Sequence, residues 1–144
     1  MTESESQTRI FSEFEFRHLL AREVQRSTRY QDFLTLCLVR AAHPGVAADD
    51  LNTALSLRIA DMLRATDVVG LLGQDVAVLL VHTADSDAAT IVERIRERVK
   101  TFEPPGFLSP APLAVRLGVA SFPTDATADT VLVAHAAAQL EPAP

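Results

Sequence analysis

Apolar positions near the start of the chain recur at intervals of three and four. Ile10, Phe11, Phe14, Leu19, Leu20 and Val24 lie close to a 3.6-residue period, which predicts an amphipathic helix over Phe11–Arg26. The pattern then changes to a short apolar run, Phe33–Val39, read as a buried strand. His43-Pro44-Gly45 within Ala41–Ala48 marks a turn or loop. Asp49 or Asp50 is placed to cap a second helix, whose apolar stripe is Leu51, Leu55, Ile59, Met62 and Leu63.

Two further apolar runs, Asp67–Leu72 and Val76–Val81, flank Gly73-Gln74-Asp75 and predict a β-hairpin. Asp85–Lys100 is the third helix, with Ala88, Ile91, Ile95 and Val99 on its buried face. Pro104-Pro105-Gly106 and Pro110–Pro112 cannot continue it and form a loop. Leu113–Ala120 is a strand, Phe122-Pro123-Thr124 a turn, and Thr127–Leu140 an Ala-rich helix. Helices alternating with buried strands, plus one hairpin, predict an α/β fold: a mixed sheet with helices packed on both faces. The expected organisation is a flexible tail over residues 1–9, one domain over 10–140 and a short tail over 141–144.

Composition narrows the function classes. The chain has 144 residues, 48% apolar and 22% charged, as expected of one globular domain with a single core. Its longest apolar runs are strand-length, and Met1–Gln7 lacks the basic start and apolar core of a signal peptide. A cytoplasmic location is the resulting expectation. A formal charge of −6 argues against non-specific binding to nucleic acid or an anionic membrane. The single cysteine, Cys37, excludes an internal disulfide and reads as a small buried hydrophobe. His18, His43, His82 and His135 lack ligand-like spacing, so no metal is expected. No nucleophile motif, P-loop or dinucleotide fingerprint is present, and no cofactor is expected.

Three stretches together resemble the GGDEF family, the fold of diguanylate cyclases. The run from Arg64-Ala65-Thr66-Asp67 to Val76-Ala77-Val78-Leu79-Leu80 resembles the family's R-x-x-D-V-V-A-R-L-G-G-D-E-F-A-V-L-L. Ala89–Arg96 resembles its A-x-x-x-A-E-R-I-R helix, and Leu117–Pro123 its S-I-G-V-A-x-Y-P strand end. The similarity covers about Phe16 to Leu140.

The departures from that pattern bear on activity. The signature turn is reduced to Gly73-Gln74-Asp75-Val76, one residue short and without the Glu. The resemblance implies that this turn beds the GTP phosphates and that its acidic residue, matched only by Asp75, holds a metal. The family's first strand ends in D-I-D, whose leading Asp is the other metal ligand; Arg40 stands there. A guanidinium has no lone pair to offer a cation and repels it. Arg40 either pairs with Asp75 or points to solvent from a strand end. The substrate loop is shortened to His43–Asp50, with no match for its guanine-reading Asn and only Asp49 near its final Asp. In the last helix Ala134-His135 replaces A-D, and Pro142 falls at the phosphate-binding Lys. These losses predict a catalytically inactive, degenerate domain.

What survives matches the family's product-binding inhibitory site, R-x-x-D. Arg64 and Asp67 supply it, and Arg94 matches a further arginine on the E-R-I-R helix. Arginine forks onto phosphate or a guanine edge, and aspartate accepts from guanine N–H groups. Each also has a plain structural explanation. Arg64 complements a helix C-terminus, Asp67 pairs with it, and Arg94 belongs to a charged, solvated face. Two functions follow as expectations. The first is a cyclic di-GMP receptor or effector with a protein partner. The alternative is a ligand-free interaction or dimerisation module, for which the first helix is the candidate surface.

Overall fold

The computed structural model of the chain describes residues 10–102 and 113–140. The expected loop at Pro104–Pro112, both tails and Pro142 lie outside the described residues. The order is β1 (Ile10–Phe11), α1 (Glu13–Tyr30), β2 (Leu34–Ala42), α2 (Ala48–Ala60), β3 (Val68–Leu72), β4 (Asp75–Val81), α3 (Asp85–Lys100), β5 (Ala114–Phe122) and α4 (Asp129–Ala138).

Local chemistry explains most boundaries and corrects several expected ones. Ser12 and Glu15 form a reciprocal capping box, so α1 starts at Glu13 rather than Phe11. That frees Ile10 and Phe11 to pair in parallel with Val69 and Gly70. The helix runs past Arg26 to Tyr30 and ends at Gln31, which takes a left-handed φ of 55°. Strand β2 is longer than expected: Arg40, Ala41 and Ala42 stay in the ladder opposite Arg116, Val115 and Ala114 of β5. Neither Asp49 nor Asp50 caps α2; the N-cap is Ala47, and both aspartates sit in the first turn, facing the positive helix end. Helix α3 has the expected bounds, with Val92 buried in place of Ile91. Strand β5 begins one residue later than expected and extends to Phe122, while α4 is shorter at both ends.

The five strands lie in the order β1-β3-β4-β2-β5, all neighbours antiparallel except β1 with β3. Side chains alternate across the pleat, so the sheet has two buried faces. Leu34, Leu36, Leu38, Ala77 and Leu79 meet Phe16, Leu20 and Val24 of α1 and Leu132 and Ala136 of α4. Cys37, Val39, Val76, Val78 and Leu80 meet Leu51, Leu55 and Ile59 of α2 and Ile95 and Val99 of α3. Helices thus cover both faces, as the pattern predicts.

The outer edge of β5 is covered by side chains acting as a mock strand. Gln139 accepts the Val119 N–H at 3.0 Å and donates to the Val119 carbonyl at 2.7 Å. Two residues on, Asp125 accepts the Ser121 N–H through its carboxylate and donates its own N–H to the Ser121 carbonyl, both at 2.8 Å. Gly118, just before Val119, lets α4 lie close: a Cβ there would land inside the Ala136 carbonyl.

Candidate functional site

The turn between β3 and β4 is a two-residue hairpin, Gly73-Gln74, with Leu72 opposite Asp75. Gly73 has φ +62°, the positive value that hairpin turns reserve for glycine. Asp75 shares a sheet face with Ala77 and Leu79, and Arg40 shares it with Leu34, Leu36 and Leu38. The β2–β4 ladder sets Val39 opposite Val76, so Arg40 and Asp75 are one step further along, on the same side. They meet as a fork: Nε donates to Oδ1 at 2.8 Å and Nη2 to Oδ2 at 3.4 Å. The Asp75 side chain is 7% exposed. Of the two alternatives for Arg40, the ion pair is the one formed.

Two more side chains hold the turn. Glu13, at the start of α1, accepts the Gly73 N–H at 2.8 Å. That bond, and then Arg17, hold the Glu13 carboxyl below its ordinary range. Asn52 of α2 donates from Nδ2 to the Gln74 carbonyl at 3.0 Å, while its Oδ1 is buried without a partner. A carboxylate therefore sits on the turn's N–H, and a guanidinium sits on its acidic residue. These residues do not fit a divalent cation. The carboxylate of Asp75 already carries a fixed positive charge, and Arg40 supplies no donor oxygen.

Arg64 and Asp67 are brought together across the α2–β3 connection. Asp67 Oδ1 accepts Arg64 Nη2 at 3.0 Å; Oδ2 accepts the Arg64 backbone N–H at 3.1 Å and Nε at 3.2 Å. Arg64 Nη2 also donates to the Val81 carbonyl at 2.8 Å and to Thr83 Oγ1 at 2.9 Å. Thr83 is anchored in turn, its carbonyl accepting buried Thr35 Oγ1, which also bonds Ser121 Oγ. The bond to Asp67 raises the Arg64 pKa further above its usual value. Only 2% of the Asp67 side chain is exposed, against 52% for Arg64. Asp67 thus orients the arginine, and the arginine presents its outer edge to solvent.

Arg94 makes no bond to either residue. It lines a groove of about 910 Å³ along α3, with Met62, Ala89, Thr90, Arg98 and Thr101. Asp49 lies at the start of α2, its carbonyl accepting Thr53 Oγ1. Cys37 is sealed in the core, where burial pushes its thiol up to about 12, out of reach of thiolate chemistry.

Sequence reasoning did not find Glu13, Asn52, Thr83 or Arg98. Asn52 had a signal: a polar residue beside Leu51, inside a buried stretch of helix. A second cluster was also missed. Asp32 accepts from Arg26 at 3.1 Å and pairs with His82, a non-glycine residue with φ 53°. Burial alone would raise the Asp32 pKa. The Phe33 N–H, Arg26 and His82 outweigh it and hold the carboxyl low.

Among the described residues no helix is long and apolar enough to cross a membrane. A comparison with curated proteins gave no match. Among solved structures, the GGDEF domain of TpbB (YfiN) from Pseudomonas aeruginosa has a TM-score of 0.79 at 23% identity, covering 94% of this chain and 84% of that one. A DGC protein from Thermotoga maritima has 0.75 at 18%, covering 94% and 98%. DgcB from Caulobacter crescentus, solved as its coiled coil and GGDEF domain in complex with c-di-GMP, has 0.76 at 17%, covering 94% and 76%. At these identities the likeness establishes the fold. The family model "Diguanylate cyclase, GGDEF domain" matches residues 46–143, and with more than half its length in that match the chain belongs to the GGDEF domain family.

Proposed function

We propose that this GGDEF domain makes no cyclic di-GMP and serves as a cytoplasmic regulatory module that receives it, through Arg64, Asp67 and Arg94. The Arg40–Asp75 fork carries the first half of the reading. A guanidinium held at 2.8 Å on the turn's acidic residue takes the place of a metal that phosphoryl transfer from GTP needs. The second half rests on an R-x-x-D pair whose arginine is already fixed by four acceptors, so little side-chain entropy is left to lose on binding. DgcB, with the same fold, was solved in complex with c-di-GMP. Two measurements test the reading. GTP with Mg²⁺ or Mn²⁺ should yield no cyclic product. Calorimetry should detect cyclic di-GMP binding at tens of micromolar, weakened in Arg64→Ala. Turnover, absence of binding, or an unaffected variant removes the corresponding half.

One observation favours the ligand-free alternative. Both Asp67 oxygens already accept from Arg64 and only 2% of the side chain is exposed, so little of the carboxylate is left for a guanine to reach. A fold kept for docking needs only that rigidity. Helix α1 offers the surface, with Phe14 84% exposed beside the locked turn. Light scattering decides it: a strict monomer with no partner in pull-downs counts against docking, and a dimer weakened by Phe14→Ser supports it.

A further inference from the structure

Arg94 is not alone in its groove. Arg98 lies one helical turn further along α3 and lines the same cavity. Side chains four apart on a helix are neighbours, about 5–6 Å apart at Cβ. Several arginines of the fold have their charge answered at home: Arg17 by Glu13, Arg26 by Glu23 and Asp32, Arg40 by Asp75, Arg64 by Asp67, Arg96 by Glu93. Arg22, Arg29, Arg58 and Arg116 have no ion pair among the described residues, but none of them lines this cavity. Among the described residues Arg94 and Arg98 have no such partner. Two unanswered guanidiniums therefore face one cavity, beside the thioether of Met62 and the methyl of Ala89.

We propose that Arg98 is a further ligand-binding residue: with Arg94 it grips the two phosphodiester groups of a cyclic dinucleotide, alongside the Arg64–Asp67 pair, which begins two residues after Met62 of the groove. This rests on the receptor reading above and divides the labour within it. A ligand carrying two phosphates on one small ring matches two forked cations side by side. Its bases are large flat π-surfaces, and Met62 offers the polarizable contact that such surfaces favour. The groove also contains Glu93 and Glu97. Glu93 is turned onto Arg96 at 3.5 Å. Glu97 is the carboxylate left facing the phosphates, and it sets the sign of a control.

Calorimetry of cyclic di-GMP with the full chain tests the assignment. Arg98→Ala should bind roughly tenfold more weakly or worse, a loss of about 1.4 kcal/mol, with an unchanged melting temperature. Arg98→Lys keeps charge but not the fork and should fall between. Glu97→Gln should bind more tightly than wild type, by a factor of about two to five, and the gain should shrink as salt rises. Arg98→Ala binding as tightly as wild type, while Arg64→Ala or Arg94→Ala weakens it, overturns this inference and leaves the receptor reading standing. Wild type giving no heat at roughly 100 μM ligand overturns both.

Discussion

Asp75 has its charge answered at a single point, by the guanidinium of Arg40. Where two carboxylates share a site, a bound cation or a shared proton must relieve their repulsion; beside Asp75 the counter-charge is a guanidinium covalently part of β2. Arg40→Asp restores the repulsion. Without divalent metal this variant should lose about 1–3 kcal/mol; the value for breaking a buried pair is discounted because the Arg40 side chain is 31% exposed. Millimolar Mg²⁺ should raise its melting temperature and leave the wild type unmoved; a variant indifferent to Mg²⁺ would show that Arg40 does not stand at the family's metal position. Much of this was legible, since Arg40, Asp75, Arg64 and Asp67 each sit in a local pattern. Glu13 and Asn52 were not. Their partners are 60 and 22 residues away, and no local pattern encodes a contact that folding creates.

Elements were legible in proportion to how local their causes are. Helix α3 has acidic residues in its first turn, basic ones in its last and an unbroken apolar period, and its bounds were predicted. The end of β2 was not, because Arg40 breaks the apolar run and only the ladder with β5 keeps the chain extended. The last turn of α1, Ser27–Tyr30, is polar and was missed for the same reason. Helix α4 depends on an absence of atoms. Gly118→Ala would push it off β5, and the expected cost is about 2–4 kcal/mol, read as a lower urea midpoint. An unchanged midpoint would mean that α4 slides without loss.

At the scale of the whole molecule, acid should act through depressed carboxyls. Asp32 and Glu13 are both held below their ordinary values of 3.8 and 4.5. A group whose folded pKa is depressed adds stability above its unfolded pKa and loses it as pH falls through the folded one. The melting temperature should therefore fall as pH drops below about 4.5 and keep falling beneath 3.8. Asp32→Asn should be less stable at neutral pH and show a shallower acid limb; a parallel limb would clear Asp32 of the effect.

The mock strand on β5 bears on how these molecules behave when crowded. A bare strand edge is a template onto which another chain can hydrogen-bond, and sheets that grow this way end as fibres. Gln139 and Asp125 keep the Val119 and Ser121 positions from serving as that template, at the cost of two side chains and no further strand. Gln139→Ala leaves the fold its core but bares one rung of the edge. Its solutions should turn over to thioflavin-positive aggregate sooner than wild type at equal concentration and equal melting temperature. Equal lag times would place the protection elsewhere on the surface.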